Sequence, residues 1–452
     1  MKRLLVVTYY WPPAGGVSVQ RVLKFCKYLP RHGWQPIVLT ADSAHFETID
    51  EDNSREAPHV EQVMRVRAWE PHGLYRALGG RIGAKPAELQ NRDSKGFAGY
   101  RTGTVQRLFE RLSEWIRLNI FIPDSRIPWY PPAVRAASRL ISEYQVDLIY
   151  STAPPFTVHL AARRLSARHG IPWVADFRDP WVDNTVYNRM RRLNWVLAAN
   201  RRLERLVLRD ADCVVCTGQR LAALMRTKLP FGEGSHISVV EHGYDRDNVR
   251  AVAKVPSRLW LSYFGSLYEQ RFPEVLFDTI ARLAASNRLP GLAVRIYGTV
   301  SRGAHSQLAE TLSGTETQVN APLPQNAYQN ILYEPQVLLL SVDRVPHNDV
   351  ITLGKAFDYL PTGNPVLGVG PLDGDIAQLL RQTGSGRMFD YEDRKNIEAF
   401  LVECWEHWKT GRLNSGPRIL PEWERSTKTA RLAELLDGVL ANPNRRPGTS
   451  SY

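Results

Sequence analysis

Short apolar runs, each followed by a segment of helical period, recur along this chain in two separate series, and few folds accommodate that rhythm. Residues 4–8 form a continuous apolar run, as a strand covered on both faces requires. After Pro12-Pro13-Ala14-Gly15-Gly16, the positions Val22, Phe25, Cys26 and Leu29 fall on one side of a helix. His32-Gly33 ends that helix, and residues 36–40 read as a second strand. A strand, a glycine-rich turn, a helix and a strand make a βαβ unit, and hence a parallel sheet. The rhythm resumes with helices at 133–144, 156–169, 193–210 and 218–229 and strands at 147–150, 172–176, 211–217 and 237–240. A new strand-first series starts at 259–264. Its later strands are expected at 293–297, Val319, 337–342, 365–368 and 386–388. The expectation is an α/β protein with domains at 1–247 and 248–422, a last helix at 423–441 and a disordered polar tail at 442–452. An irregular basic and aromatic insert occupies about 41–130, with a short strand near 65–69.

The chain has 452 residues, too long for one core, so two or three domains are expected. No apolar run approaches the ~20 residues that span a bilayer. The start Met1-Lys2-Arg3 followed by residues 4–7 resembles a signal peptide, but its apolar part is short and lacks a small-residue cleavage site. The expectation is therefore a buried first strand in a cytoplasmic protein. Cys26, Cys213, Cys216 and Cys404 make no disulfide framework. Cys213 and Cys216 have redox or zinc spacing but lie inside an apolar strand, with no second ligand pair, which favours a structural role. Absence of G-x-G-x-x-G and of a Walker A sequence excludes the usual dinucleotide and P-loop sites.

A net charge of +12 implies attraction to something acidic: nucleic acid, anionic lipid or phosphorylated substrates. Twelve Trp and eighteen Tyr suit a membrane interface or a sugar platform. No zinc-finger spacing, basic heptad helix or RNA-binding signature supports nucleic acid. The helix at 105–122 is amphipathic, with basic residues on its polar side. It fits an anionic membrane surface, or else a helix packing its Leu/Phe/Trp face on the core.

Residues 352–368 concentrate the chemistry. They read as a helix start, one or two helical turns, a Gly/Pro turn and a buried strand. Lys355 and Asp358, three apart, share a helix face. Free N–H groups near Gly354 beside a lysine suit a phosphate, and a plain surface Lys–Asp pair is the other reading.

Residues 354–367, Gly-Lys-Ala-Phe-Asp-Tyr-Leu-Pro-Thr-Gly-Asn-Pro-Val-Leu, resemble the Lys-x-x-Glu-Tyr-Leu-x-x-Gly-x-Pro-Val segment of family 4-like glycosyltransferases. The resemblance extends over most of the chain apart from 41–104 and the tail. It implies the GT-B architecture, two Rossmann-like domains facing across a cleft, with the last helix crossing back to the first domain. Gly15 and Gly16 match the family's glycine-rich loop near donor and acceptor, and equally a tight strand-to-helix turn. Asp176-Phe177-Arg178-Asp179-Pro180-Trp181 is similar to a sub-branch in which Arg178 and Asp179 stand where many relatives carry a His-Asp pair near the transferred sugar. A buried Arg–Asp structural pair is the alternative, and an arginine does no histidine-like proton work. His242, Gly243 and Asp245 match a His-Gly-x-Asp turn, implying a hinge or cleft role. Ser266 stands at a position where relatives carry a phosphate-binding arginine, and Arg271 where they carry a lysine. Lys355 then serves the donor diphosphate and Asp358 the donor ribose. The first of the family's two carboxylates is replaced by Val350, with Asp349 adjacent.

The resemblance implies hexosyl transfer, with retention, from a nucleoside diphosphate sugar to a glycan or lipid-linked acceptor, in cell-surface polysaccharide or glycolipid synthesis. No metal or other cofactor is implied. The expected location is cytoplasmic, peripheral on the inner face of the cell membrane. A nucleotide-sugar epimerase and a non-catalytic GT-B binding protein are the alternatives.

Overall fold

Each apolar run that reads as a strand is a strand in the computed structural model, which describes residues 1–15, 17–42, 60–67, 115–184, 192–251, 257–334 and 336–442. Gly16, most of the 41–130 insert, positions 105–114 of the amphipathic helix and the tail from 443 lie outside the described residues. The chain divides into two units. The first takes the described residues up to His242 and those from Arg425 on, and the second takes Gly243–Glu424.

The first unit holds a seven-stranded parallel sheet. Its strands are β1 (Lys2–Val7), β2 (Trp34–Ala41), β3 (Gln62–Val66), β4 (Leu148–Ala153), β5 (Trp173–Phe177), β6 (Cys213–Cys216) and β7 (Ile237–Val239). The spatial order is β3-β2-β1-β4-β5-β6-β7. β3 lies earlier than the Arg65-to-Trp69 run that suggests it. As an edge strand with one buried residue, Val66, it carries a weak apolar signal. The central strands are covered by helices on both faces, and every residue of β4, β5 and β6 is buried, including the polar Ser151, Thr152 and Asp176. Cys213 and Cys216 are free and buried in β6. The helices are α1 (Val17–Tyr28), α2 (Tyr130–Tyr144), α3 (Thr157–His169), α4 (Asn194–Asp210) and α5 (Gln219–Thr227).

The second unit repeats the plan with six parallel strands: β8 (Leu259–Phe264), β9 (Leu292–Tyr297), β10 (Thr317–Asn320), β11 (Val337–Ser341), β12 (Val366–Val369) and β13 (Gly386–Phe389). Their order is β10-β9-β8-β11-β12-β13. In both units the first strand sits between the second and the fourth, so the order reverses beside it. A doubly wound sheet opens a crevice at that reversal, beyond the carboxyl ends of the strands. The helices are α6 (Glu274–Ala285), α7 (Arg302–Thr311), α8 (Gln325–Leu332), α9 (Gly354–Tyr359), α10 (Asp375–Thr383) and α11 (Arg394–Lys409). In α6 the buried positions Leu276, Phe277, Ile280 and Leu283 form the apolar stripe that holds the helix on the sheet. Two apolar cores cover the two faces, one built around Tyr263 and Leu339, the other around Leu338 and Phe357.

Helix α12 (Arg425–Leu440) packs against α1 in the first unit. Its Asp437 pairs with Lys2 and accepts a 2.9 Å hydrogen bond from the Trp34 indole. Its Lys428 reaches Glu241 at 3.0 Å. The two units therefore share one doubly wound α/β plan, with a C-terminal helix assigned to the first.

Candidate functional site

In the second unit, the residues singled out by sequence gather where β8 and β11 end. β8 runs out into Gly265-Ser266. Gly265 has φ +123°, a backbone state that an L side chain rarely adopts, and Ser266 is half-buried. The loop after β9 closes onto it. A Cβ on Gly298 would sit 1.9 Å from the Gly265 carbonyl oxygen, so this approach requires glycine at 298. Leu267 N–H donates to Thr299 O at 2.9 Å and ties the two loops together.

Lys355, in the first turn of α9, points its ammonium at this loop. Nζ donates to Phe264 O at 2.9 Å and lies 3.6 Å from the Tyr263 ring centroid. A Cβ on Gly265 would stand 3.7 Å from the same nitrogen. Burial, and then repulsion from Arg271, hold the Lys355 ammonium well below the usual lysine pKa, with Asp343 opposing. An ammonium carries three donors, and the one described hydrogen-bond acceptor is a neutral carbonyl.

Arg271 is committed differently. Its Nε and Nη2 grip Asp343 at 2.6 and 3.2 Å, and the guanidinium carbon stands 4.9 Å from the Tyr268 ring centroid. Tyr268 O–H donates to the same carboxylate at 2.7 Å. Burial works against the charge, but Tyr263, Asp343 and Tyr268 overcome it and raise the Arg271 pKa. Asp343 escapes the sequence motifs. Its signal is position, two residues after β11 at the end where open α/β sheets bind ligands. Asp358 lies one turn beyond Lys355 and accepts a 3.3 Å hydrogen bond from the Tyr328 hydroxyl. Phe264 stacks on Tyr297 at 5.3 Å and meets Tyr328 edge-on at 5.2 Å, forming an aromatic wall beside Asp358. Val350 is buried, while Asp349 next to it is half-buried.

The first unit arranges its charges around Asp176, at the end of β5. Arg21 of α1 holds that carboxylate with Nη2–Oδ1 at 2.8 Å and Nε–Oδ2 at 3.1 Å, and both side chains are buried. Thr152 O–H donates to it at 2.7 Å. Burial alone would raise the Asp176 pKa, but Arg21 and the hydrogen bonds bring it below the ordinary value. Arg21 also donates to Val240 O and Glu241 O at 2.8 and 3.1 Å, so it ties α1 to the chain leaving β7. Sequence reasoning missed Arg21. The available signal was an arginine inside the apolar stripe of α1, four residues before buried Phe25.

Arg178 is buried with its Nε and Nη2 donating to Ala153 O and Pro154 O at 3.0 and 2.5 Å. Asp179 beside it is half-buried, and burial raises its pKa against the pull of Arg178. His242 follows β7. Burial, then Arg21, with Arg178 and Arg425 adding, hold its pKa well below the usual value, so the imidazole is neutral at pH 7. Gly15 is half-buried in the loop after β1. Gly243 and Asp245 belong to the second unit and are buried. Tyr244 between them pairs with the segment before α12, its N–H donating to Trp423 O at 3.0 Å.

With both reversal points carrying charged and glycine-bearing loops, the comparisons with known proteins become informative. Residues 100–248 match the model described as Glycosyltransferase Family 4. That Family 4 match takes in Arg178, Asp179, His242, Gly243 and Asp245. It stops before Ser266, Arg271, Lys355 and Asp358, and so is narrower than the resemblance read from the motifs. None of the curated proteins matches the chain. Solved structures do match along nearly its whole length. Sucrose-phosphate synthase from Thermosynechococcus elongatus superposes with a TM-score of 0.58 at 13% identity, covering 97% of this chain and 96% of its own. The HepE protein of Anabaena, in complex with UDP and glucose, gives 0.58 at 14% identity over 97% and 100%. A putative UDP-N-acetylglucosamine 2-epimerase from Listeria monocytogenes gives 0.53 at 10% identity over 99% and 98%. At these identities the likeness is one of fold.

Proposed function

We propose that the chain is a GT-B glycosyltransferase of the Family 4 kind, in the Asp-Phe-Arg-Asp-Pro-Trp sub-branch, moving a hexosyl group with retention from a nucleoside diphosphate sugar to a glycan or lipid-linked acceptor. The observation that carries this is Lys355. A half-buried ammonium beside a glycine-rich loop, answered by one neutral carbonyl, is built to receive an anion at the end of β8. A donor diphosphate supplies that anion. Arg271, with its charge balanced by Asp343, orients the phosphates, and Ser266 donates from the loop. Asp358 takes the ribose hydroxyls while Tyr297, Phe264 and Tyr328 flank the base. In the first unit, Arg178 positions the backbone after β4, and Asp179 and neutral His242 offer polar groups to the transferred sugar. Gly15 and Gly16 leave room for donor and acceptor, and Gly243 and Asp245 shape the turn between the two parts of the chain. No metal enters the reading. The acceptor class, the cytoplasmic location at the inner face of the cell membrane and a role in polysaccharide or glycolipid synthesis follow from the family resemblance and the basic, aromatic-rich composition.

The test is a thermal-shift screen over UDP-, GDP-, dTDP- and ADP-sugars and the free nucleotides. A ligand at a hundred times its Kd adds about 2.7 kcal/mol by linkage. One nucleotide class should raise the melting temperature by several degrees in the native chain and not in Lys355→Ala. No shift with any nucleotide would remove the transferase reading. An epimerase is the second reading, supported by the match to the Listeria protein over 99% of this chain. Incubation with the donor alone separates the two, since only an epimerase then yields an epimeric sugar. Donor binding without turnover in either assay would leave a non-catalytic binding protein.

A further inference from the structure

The first unit carries an apolar patch outside the sites described above. Asn119 Oδ1 accepts a hydrogen bond from Leu193 N–H at 2.8 Å, and its Nδ2 donates to Trp115 O at 3.0 Å. These bonds pin the helical segment at 115–119 to the start of α4. At that junction Trp115 is 45% exposed, Ile120 58%, Leu193 40% and Trp195 58%. The other exposed large apolar residues among those described are scattered along the chain, so this is where they concentrate.

Helix α4 continues the patch with charge. Its exposed positions after Trp195 include Arg201, Arg202, Arg205 and Arg209. At 100° per residue they fall with Trp195 on one stripe about 120° wide. Of the acidic residues of α4 only Asp210 meets the stripe, at Arg209, and Arg201, Arg202 and Arg205 form no ion pair among the described residues. Glu204 is buried against Lys228 at 2.6 Å, and Asp210 is held by Arg163 and Arg209 at 2.7 and 2.8 Å.

We propose that this face of the first unit docks on an anionic lipid bilayer, with Trp115, Ile120, Leu193 and Trp195 entering the headgroup region and the α4 arginines facing the lipid phosphates. Indole rings favour the interface between headgroups and acyl chains, and a basic stripe beside them is attracted by anionic lipid. A second copy of the chain fits poorly, because a two-fold contact through this face would set arginine stripes against each other. Nucleic acid would use the arginines but leaves Ile120 and Leu193 without a role. The proposal rests on the functional reading only for its purpose, which is to bring the first unit to a lipid-linked acceptor.

The experiment is co-sedimentation of the full chain with vesicles of phosphatidylcholine alone or mixed with phosphatidylglycerol, without donor or acceptor. Binding is expected to the mixed vesicles and not to the neutral ones, falling as salt rises from 50 to 300 mM. Each arginine reversed should weaken partition at least roughly fivefold. Arg201→Glu/Arg202→Glu/Arg205→Glu should therefore lose more than a hundredfold, and Trp115→Ser/Trp195→Ser about tenfold. Arg387→Glu, on the second unit, should bind as the native chain does. Melting curves and the nucleotide-induced shift should be unchanged in all variants. Native chain that ignores mixed vesicles, or patch variants that bind as well as native, would overturn the proposal. So would a dimer broken by the tryptophan variants, or tighter binding to single-stranded DNA than to vesicles. A nucleotide shift without vesicle binding sinks this surface alone, and vesicle binding without a nucleotide shift sinks the transferase reading alone.

Discussion

The two units share a strand order but differ in how one cation of each is held. In the first, Arg21 and Arg178 are spent on the protein itself: Arg21 on Asp176 and two carbonyls, Arg178 on the carbonyls of Ala153 and Pro154. In the second, Arg271 is matched by Asp343, while Lys355 donates, among the described residues, to the Phe264 carbonyl and lies over the Tyr263 ring. Fixed charge in the first unit shapes a backbone, whereas the ammonium of the second has a neutral carbonyl as its described hydrogen-bond acceptor, which is what the proposed donor site uses. The difference teaches which cation to remove to damage folding and which to damage binding.

The sharpest way to break the contrast is Asp176→Asn. It leaves Arg21 charged and buried without its counter-ion, a change that costs about 3–5 kcal/mol. Urea unfolding should register that loss, and an unchanged midpoint would mean the pair is not structural. Lys355→Ala should do the reverse. Removing a cation aimed at developing charge costs about 10²–10³ in kcat/KM. Because the ammonium is desolvated in the free protein, its loss should leave the urea midpoint unmoved or slightly raised. A large destabilisation without a kinetic defect would reverse the roles assigned to the two units.

Much of the frame was legible from the chain. The runs at 4–8, 172–176, 259–264 and 337–342 read as strands because helices on both faces leave no polar alternation to blur them. Residues 352–368 were legible because a lysine, a carboxylate and a Gly/Pro turn lie close together in sequence. The ion pairs were not. Arg21 and Asp176 are 155 residues apart, and Arg271 and Asp343 are 72 apart, so only the fold brings them together. Nor could sequence tell that the Arg178 donors would face backbone carbonyls, since that depends on the path of the chain after β4. The amphipathic helix had two readings. At its described end both faces are present: Leu118 is buried while Trp115 is exposed.

The pH dependence sharpens the contrast further. Burial and Arg271 lower the Lys355 pKa, so the cation needed by a diphosphate is lost as pH rises through that lowered value. The alkaline limb of kcat/KM should therefore fall well below the usual lysine range near 10.4. Lys355→Arg keeps its charge to higher pH and should remove the limb, even at a lower rate. Stability moves the other way. The unfolded chain binds the proton more tightly than the folded one, so folding should gain between the lowered pKa and 10.4. Asp176 gives the same slope, stability rising with pH, but in the acid range and because its charged form is favoured by the fold rather than disfavoured. Its carboxyl lies below the ordinary value, so its contribution is present above pH ~3.9 and disappears as pH falls through the folded-state value. A stability profile flat at both ends would dissolve the distinction between the two units.

The smallest effect belongs to Asp358. Its carboxylate accepts a 3.3 Å hydrogen bond from the Tyr328 hydroxyl, and the test of its role is kinetic. If Asp358 takes the donor ribose, it touches a part of the substrate that does not change during transfer. Such binding is uniform between ground and transition states, so KM for the donor should rise by up to about tenfold while kcat stays level. A deoxyribose donor should bind the native chain and the Asp358→Ala variant with similar affinity, because the missing hydroxyl removes the same contact. A fall in kcat equal to the fall in kcat/KM would instead put Asp358 at the reacting centre. The second unit would then hold two groups tuned to the chemical step, and the division between a structural first unit and a binding second unit would have to be redrawn around α9.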